Sequence, residues 1–255
     1  YFWQEIPFVY RTHESPDEDK IKKLATFINN FGHSMHLANK EVRPKEIQKL
    51  LSKVEGTDEE GLISRLALRS MKQARYTPEN TGHFGLAAPY YCHFTSPIRR
   101  YPDLCIHRII KEVINGGYAH AIEQYGGFVA QAAQQSSDKE RRATDAERDV
   151  DDLYMTMYMS ERIGEEYDAV ISGVTSFGLF AELPNTVEGF IPMESLYGEY
   201  EFDADHFRLI GKHGNYTIGE IIRVKVIDVD FYRRRTEFRL LKKQNNPPVY
   251  ENNDK

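Results

Sequence analysis

The sequence changes character at Gly164, and that change fixes what the chain can fold into. Before it, apolar residues recur at the three- and four-residue spacing of helices. After it come short runs rich in Val, Ile, Phe and Tyr, broken by glycines. Residues 167–172, 174–183, 187–192, 221–229 and 235–241 read as strands. Five short strands with glycine breaks predict a small closed barrel over residues 164–243. The preceding residues, 1–163, read as a largely helical domain, and Gln244–Lys255 as a disordered tail.

In the helical part, Ile6–Tyr10 is expected to form a short strand with Pro7 near its start. Ser15-Pro16-Asp17-Glu18 opens a first helix, with Ser15 as its cap and Gly32 as its end. A second helix is predicted over 43–54 and a third over 59–76, with Leu62, Leu66 and Leu68 to Met71 on its apolar face. His33 and His36 are three apart in a loop, but no carboxylate or Cys completes a ligand set, so they are expected at the surface. A long helix is predicted from about Phe128 to Ile163. Ala143, Ala146, Val150, Leu153 and Met157 follow an apolar 3-4-3-4 spacing there.

Between these helices lies the densest block of the chain, residues 83–108, HFGLAAPYYCHFTSPIRRYPDLCIHR. Ser96-Pro97-Ile98 reads as a helix start, with Ser96 as the cap and Pro97 in the first turn. Arg99 and Arg100 would then sit at the positive end of a helix, where cations are disfavoured. Two arginines make sense there if an anion joins them, and phosphate is the natural candidate. A surface turn whose arginines pair with Asp or Glu elsewhere explains the same residues equally well. His107, further along, reads as a packing or capping residue.

The run His83-Phe84-Gly85-Leu86, followed by His93-Phe94-Thr95-Ser96-Pro97-Ile98-Arg99-Arg100-Tyr101-Pro102-Asp103-Leu104, resembles the signature of the RNase II/RNase R (RNB) exoribonucleases, the RNase R branch most of all. Ala146-Glu147-Arg148-Asp149-Val150 resembles the second recurring motif of that family. The resemblance implies an α+β fold: the C-terminal, helical part of an RNB catalytic domain, then a five-stranded OB-fold barrel of the type named after a small-subunit ribosomal protein. It implies 3′→5′ hydrolysis of single-stranded RNA to nucleoside monophosphates. Arg99 would oppose charge on the scissile phosphate, and Glu147 would be the assisting carboxylate. Thr95, Ser96, Arg100 and Tyr101 would line the RNA beside them. On the barrel, Phe177 and Phe180 would stack on bases, and Arg234 and Arg235 would meet phosphates. Pro192 stands where many such barrels carry a histidine, which puts one contact in doubt.

The resemblance also implies two Mg²⁺ ions held by aspartates. No DxxxxxDxDD-like run occurs between Tyr1 and Asp103. Asp17 and Asp19 fit helix capping, and Asp149, Asp151 and Asp152 lie on a different motif. The metal ligands are therefore expected upstream of this chain, which begins Tyr-Phe-Trp rather than with Met. The chain reads as the C-terminal half of a longer enzyme, inactive by itself. The alternative is a module that binds single-stranded RNA without cutting it.

Composition narrows the setting. The net charge is −6, so an RNA site must be a local basic patch. Cys92 and Cys105 lack metal-ligand spacing and are too few for a disulfide framework, which suits a reduced cytoplasmic protein. No apolar run approaches the length of a membrane span. A monomer is expected, with the ribosome or other RNA-decay proteins as further partners.

Overall fold

The computed structural model describes residues 6–37, 42–57, 59–204 and 206–243. The predicted tail, Gln244–Lys255, and the first aromatics, Tyr1 to Trp3, lie outside the described residues. The chain forms two compact units, Tyr1–Ala146 and Glu147–Lys255.

The first unit opens with a strand, β1 (Tyr10–Thr12), which pairs antiparallel with β2 (Arg75–Thr77), Arg11 opposite Tyr76. This corrects two expectations. The strand begins where the sequence reading ended it, and the third helix stops at Ser70 instead of running to Tyr76. Tyr76 is β-favouring and aromatic, and its place opposite β1 buries it to 5 % exposure. Between the strands lie α1 (Glu18–Asn29), α2 (Pro44–Val54) and α3 (Glu60–Ser70). Asp17, not Ser15, caps α1, and its side chain makes no capping hydrogen bond. On α3 the buried row is Ile63, Leu66, Ala67 and Ser70, while Leu68 is exposed. His33 sits in its loop and bonds Glu59 through Nε2 at 3.2 Å.

After β2 the chain runs through the signature block into α4 (Tyr101–Tyr125), interrupted at Gly117, where φ +82° and ψ 176° leave the helical range. Ile106, Ile109 and Val113 of α4 pack with Val9, Tyr76 and Cys105, and with Val129, Ala132 and Ala133 at the start of α5 (Phe128–Ser160). Each fully buried Ile or Val among them contributes about 1.5–3 kcal/mol. This core fixes α4, whose N-terminus adjoins the turn that carries the arginines.

The second unit begins on α5. Residues 141–152 are all exposed, so Ala143, Ala146 and Val150 are in water and the predicted apolar stripe is not a core face there. Burial starts only at Thr156 and Met159. The strands β3 (Glu166–Thr175), β4 (Gly178–Glu182), β5 (Glu188–Pro192), β9 (Ile221–Asp230) and β10 (Arg235–Lys243) close into a barrel in the order β10-β5-β4-β3-β9. Val174 and Thr175 end β3 instead of starting the next strand, because Ser176-Phe177 makes the turn. The barrel is filled by Ile171, Leu179, Ile191, Val224, Val226 and Phe238, all fully buried. Two glycines permit the closure. A Cβ at Gly178 (φ +150°) would lie 2.1 Å from the Ile191 carbonyl oxygen, and one at Gly189 would lie 2.3 Å from the Phe238 ring. The sequence reading missed a small three-stranded sheet between β5 and β9: β6 (Tyr200–Asp203), β7 (Arg208–Gly211) and β8 (Tyr216–Thr217).

Candidate nucleic-acid interface

In the first unit, the expected helix start at Ser96 is not there. Ser96 to Arg100 forms a tight turn closed by the Arg99 and Arg100 amides donating to the Ser96 carbonyl at 3.3 and 3.0 Å. Proline is favoured early in such turns, which is what Pro97 does here. The helix begins four residues later than its expected first residue, with Arg100 at the cap position and Pro102 in the first turn.

The two arginines then diverge. Arg99 is exposed, and among the described residues no hydrogen bond or ion pair engages its guanidinium. Arg100 is half-buried and donates from Nη2 to Asp103 Oδ2 at 2.9 Å. The same oxygen accepts the Ser96 amide at 2.8 Å. Asp103 is 0 % exposed.

Around the turn lies a set of aromatic rings. Phe94, 43 % exposed, stacks on His107 with centroids 4.2 Å apart and 19° between planes. His107 Nε2 also reaches the Phe94 carbonyl at 2.8 Å, so that ring pair is fixed from two sides. Thr95 is exposed and Ser96 half-buried. Tyr101 is exposed and meets the edge of Phe128 at 6.5 Å. Ile98 stands fully in solvent. Behind the turn, His13, His83, Tyr91, His93 and Tyr76 form a chain of edge-to-face contacts with centroids 5.1–5.8 Å apart. Tyr76 Oη lies 2.9 Å from His93 Nδ1. Burial, then Arg100 and Arg11, pulls the His93 pKa below its ordinary value; burial, then His13 and Arg11, does the same to His83. Both rings are thereby kept neutral more readily than free histidine. Cys105 is buried and its thiol is pushed up to about 11.

In the second unit, Glu147 is exposed on α5. Phe177 is 76 % exposed at the β3–β4 turn, and its carbonyl accepts the Met193 amide at 2.8 Å. Phe180 points out of the barrel, between buried Leu179 and Ala181, and packs on Phe190 at 5.1 Å. Arg234 is engaged: its Nη1 donates to the Asp149 carbonyl at 2.8 Å and pairs with the Asp149 carboxylate. Arg233 pairs with Asp230 at 3.8 Å. Arg235 is exposed, with no ion pair among the described residues. Phe177 is level with Met193, and β5 runs parallel to β10 with Gly189 opposite Thr236. Phe177 and Arg235 are therefore about five residues apart along the strand direction, roughly 17 Å. They belong to separate patches of one barrel surface.

Sequence reading missed Asp103, Phe94 and Phe190. Asp103 carried a signal, an acid three residues beyond the true cap, but only once the helix start is placed correctly. Phe190 alternates with buried Gly189 and Ile191 and could have been read as outward-facing.

Residues 2–116 match the model of the RNB domain and residues 160–240 that of the S1 RNA binding domain. Ribonuclease R 1 of Lactococcus lactis is 40 % identical over 240 residues, which cover 92 % of this chain and 29 % of the relative. This chain is an RNase R-like member of the RNB family. Ribonuclease R of Aquifex aeolicus is 41 % identical over 241 residues, 93 % of the RNB chain and 34 % of the relative. The solved structure of Mycoplasma genitalium RNase R in complex with ribose-methylated single-stranded RNA superposes with a TM-score of 0.86 at 26 % identity, over 93 % of the RNB chain and 38 % of that protein. The RNB chain thus spans about a third of the length of the curated relatives it matches. Among its described residues no helix is long and apolar enough to cross a membrane, and no three His, Cys, Asp or Glu side chains are grouped to hold a metal ion.

Proposed function

We propose that this chain is part of an exoribonuclease that hydrolyses single-stranded RNA from its 3′ end to nucleoside monophosphates. One observation carries the reading: an exposed arginine with no partner among the described residues, set on a turn beside a fixed, half-exposed aromatic pair. A cation next to a stacking surface suits a phosphate next to a base. Arg99 is assigned to the scissile phosphate, where its charge opposes the negative charge that builds up during hydrolysis. Thr95, Ser96 and Tyr101 border the strand at that point. Glu147 is assigned as an assisting carboxylate that orients water or takes up a proton. The barrel, proposed to span residues 164–243 after a catalytic portion over residues 1–163, holds the incoming strand through Phe177, Phe180 and Arg235.

Two Mg²⁺ ions are the metals the family resemblance implies. The carboxylates present here do not fit them: Asp149, Asp151 and Asp152 are spread over an exposed helix, and Asp103 is committed to Arg100 and Ser96. No step is assigned to a metal on this chain, and the ligands are proposed to lie in residues outside it. That same absence among the described residues favours the second reading, a module that binds single-stranded RNA without cutting it. Two inert, reduced thiols suit a cytoplasmic monomer, with the ribosome or RNA-decay proteins as candidate partners.

The test is hydrolysis of a single-stranded oligoribonucleotide with Mg²⁺. The chain alone is expected to bind and not to turn over. The protein carrying the remaining catalytic residues is expected to release mononucleotides. Binding without turnover in both would select the non-catalytic module.

A further inference from the structure

The paired arginines look equivalent in sequence, yet their surroundings are opposite. Asp103 is wholly out of water, and one of its oxygens, Oδ2, takes both the Ser96 amide and the Arg100 guanidinium. Those two donors are the first and last residues of the turn that carries Arg99. One buried carboxylate on the first turn of α4 therefore ties both ends of that turn to the helix. The helix is itself held by the core under Ile106 and Ile109. The Arg100–Asp103 contact is single-pronged: Arg100 Nε and Asp103 Oδ1 are both buried with no partner among the described residues. A pair shaped for stability would close that second prong, since buried ion pairs add little unless every polar atom is satisfied. What this contact does supply is position.

We propose that Arg100 and Asp103 are positioning residues that set where the Arg99 guanidinium stands. Arg100 is then not the RNA ligand that its place in the motif implies; its charge is spent on Asp103. This rests on the RNA reading above and deepens it.

The test uses the 255-residue chain and single-stranded oligoadenylate, with affinity measured across a KCl series. Each phosphate neutralised on a single strand contributes about 0.7 to the slope of log affinity against log salt. Arg99→Ala is expected to lower the slope by about 0.7, which is about 2.6-fold in affinity over a fourfold change in salt. Asp103→Asn decides the sign. Removing a negative charge near RNA should tighten binding if only charge matters; positioning requires that it weaken binding and lower the slope. Arg99→Ala/Arg100→Ala is compared with Arg99→Ala alone, because a residue acting only through Arg99 has no further effect once Arg99 is gone. An additional loss of about 0.7 in the double variant would make Arg100 a phosphate ligand and overturn the inference. Tighter binding by Asp103→Asn would overturn it as well. Should Asp103→Asn fail to fold by circular dichroism, the Arg99/Arg100 comparison decides alone. Salt-independent binding, or none, by the unaltered chain would instead overturn the RNA reading and this inference with it.

Discussion

Of the runs of arginine in the molecule, those at 99–100 and 233–235 are sorted in the same way. In the first, Arg100 is tied to a buried carboxylate and Arg99 is left in water. In the second, Arg233 and Arg234 are tied to Asp230 and Asp149, and Arg235 is left exposed. The settings differ. Arg100 meets an aspartate that is 0 % exposed, so losing Arg100 leaves a charge in the interior and losing Asp103 leaves a half-buried one unpaired. Arg234 meets one whose side chain is 60 % exposed, where water replaces a lost partner at little cost. Each of these two runs thus divides into tied and available members, and the burial of the partner says how strongly the tied ones are held.

The comparison can be broken first at Arg99. In a protein that joins this chain to the metal ligands proposed above, Arg99→Ala is expected to slow single-turnover hydrolysis by about 10²–10³-fold, the size of losing one transition-state donor. RNA affinity should change only a few-fold. A proportional collapse of affinity and rate would make Arg99 a simple tether, no different in kind from Arg235.

Next in size is Asp103→Ala. It strands Arg100 without a partner and should destabilise the first unit by about 3 kcal/mol in a denaturant titration. Asp149→Ala, the matching change at the other run, should cost less than about 1 kcal/mol. Equal losses would remove the distinction between the two settings.

Phe177→Ala should weaken binding of a single-stranded oligonucleotide by about 1–3 kcal/mol, read by fluorescence anisotropy. Phe180→Ala should do less, because that ring already packs on Phe190. Arg235→Ala should lower the salt slope by about 0.7, while Arg234→Ala, whose guanidinium is held by Asp149, should leave it unchanged. The smallest effect is on pH. Folding lowers the pKa of His83 and His93 through burial and neighbouring positive charge. The unfolded chain therefore binds protons first as pH falls below 6.5, the ordinary value. The first unit keeps its full stability above that pH and loses some as pH drops through the folded values. A melting temperature that rises on acidification from pH 7 to 5.5 would contradict this.

Much of the architecture was legible. The barrel strands stood out because alternation of buried and exposed side chains is a property of each strand by itself, as Leu179-Phe180-Ala181 and Gly189-Phe190-Ile191 illustrate. The break at Gly117 has a local cause as well, since glycine adopts φ +82° at little steric cost. The insert β6–β8 was not legible. Its strands are two to four residues long, too short for a period to register. The exposed stripe on α5 misled in the other direction: helical spacing of Ala143, Ala146 and Val150 describes a face without saying what covers it.

Sequence by itself determined the helical and barrel parts, the family motifs, and which residue types were on offer to a phosphate or a base, because these are set by neighbours a few positions away. Tertiary structure alone decided which arginine is free in the runs at 99–100 and 233–235, that the helix begins at Tyr101 and not at Pro97, and that Phe177 and Arg235 sit on separate patches. Those outcomes depend on Asp103, Asp149 and strand register. Such partners are brought in by packing and pairing, and no local pattern around residues 99, 177 or 235 encodes where they will stand.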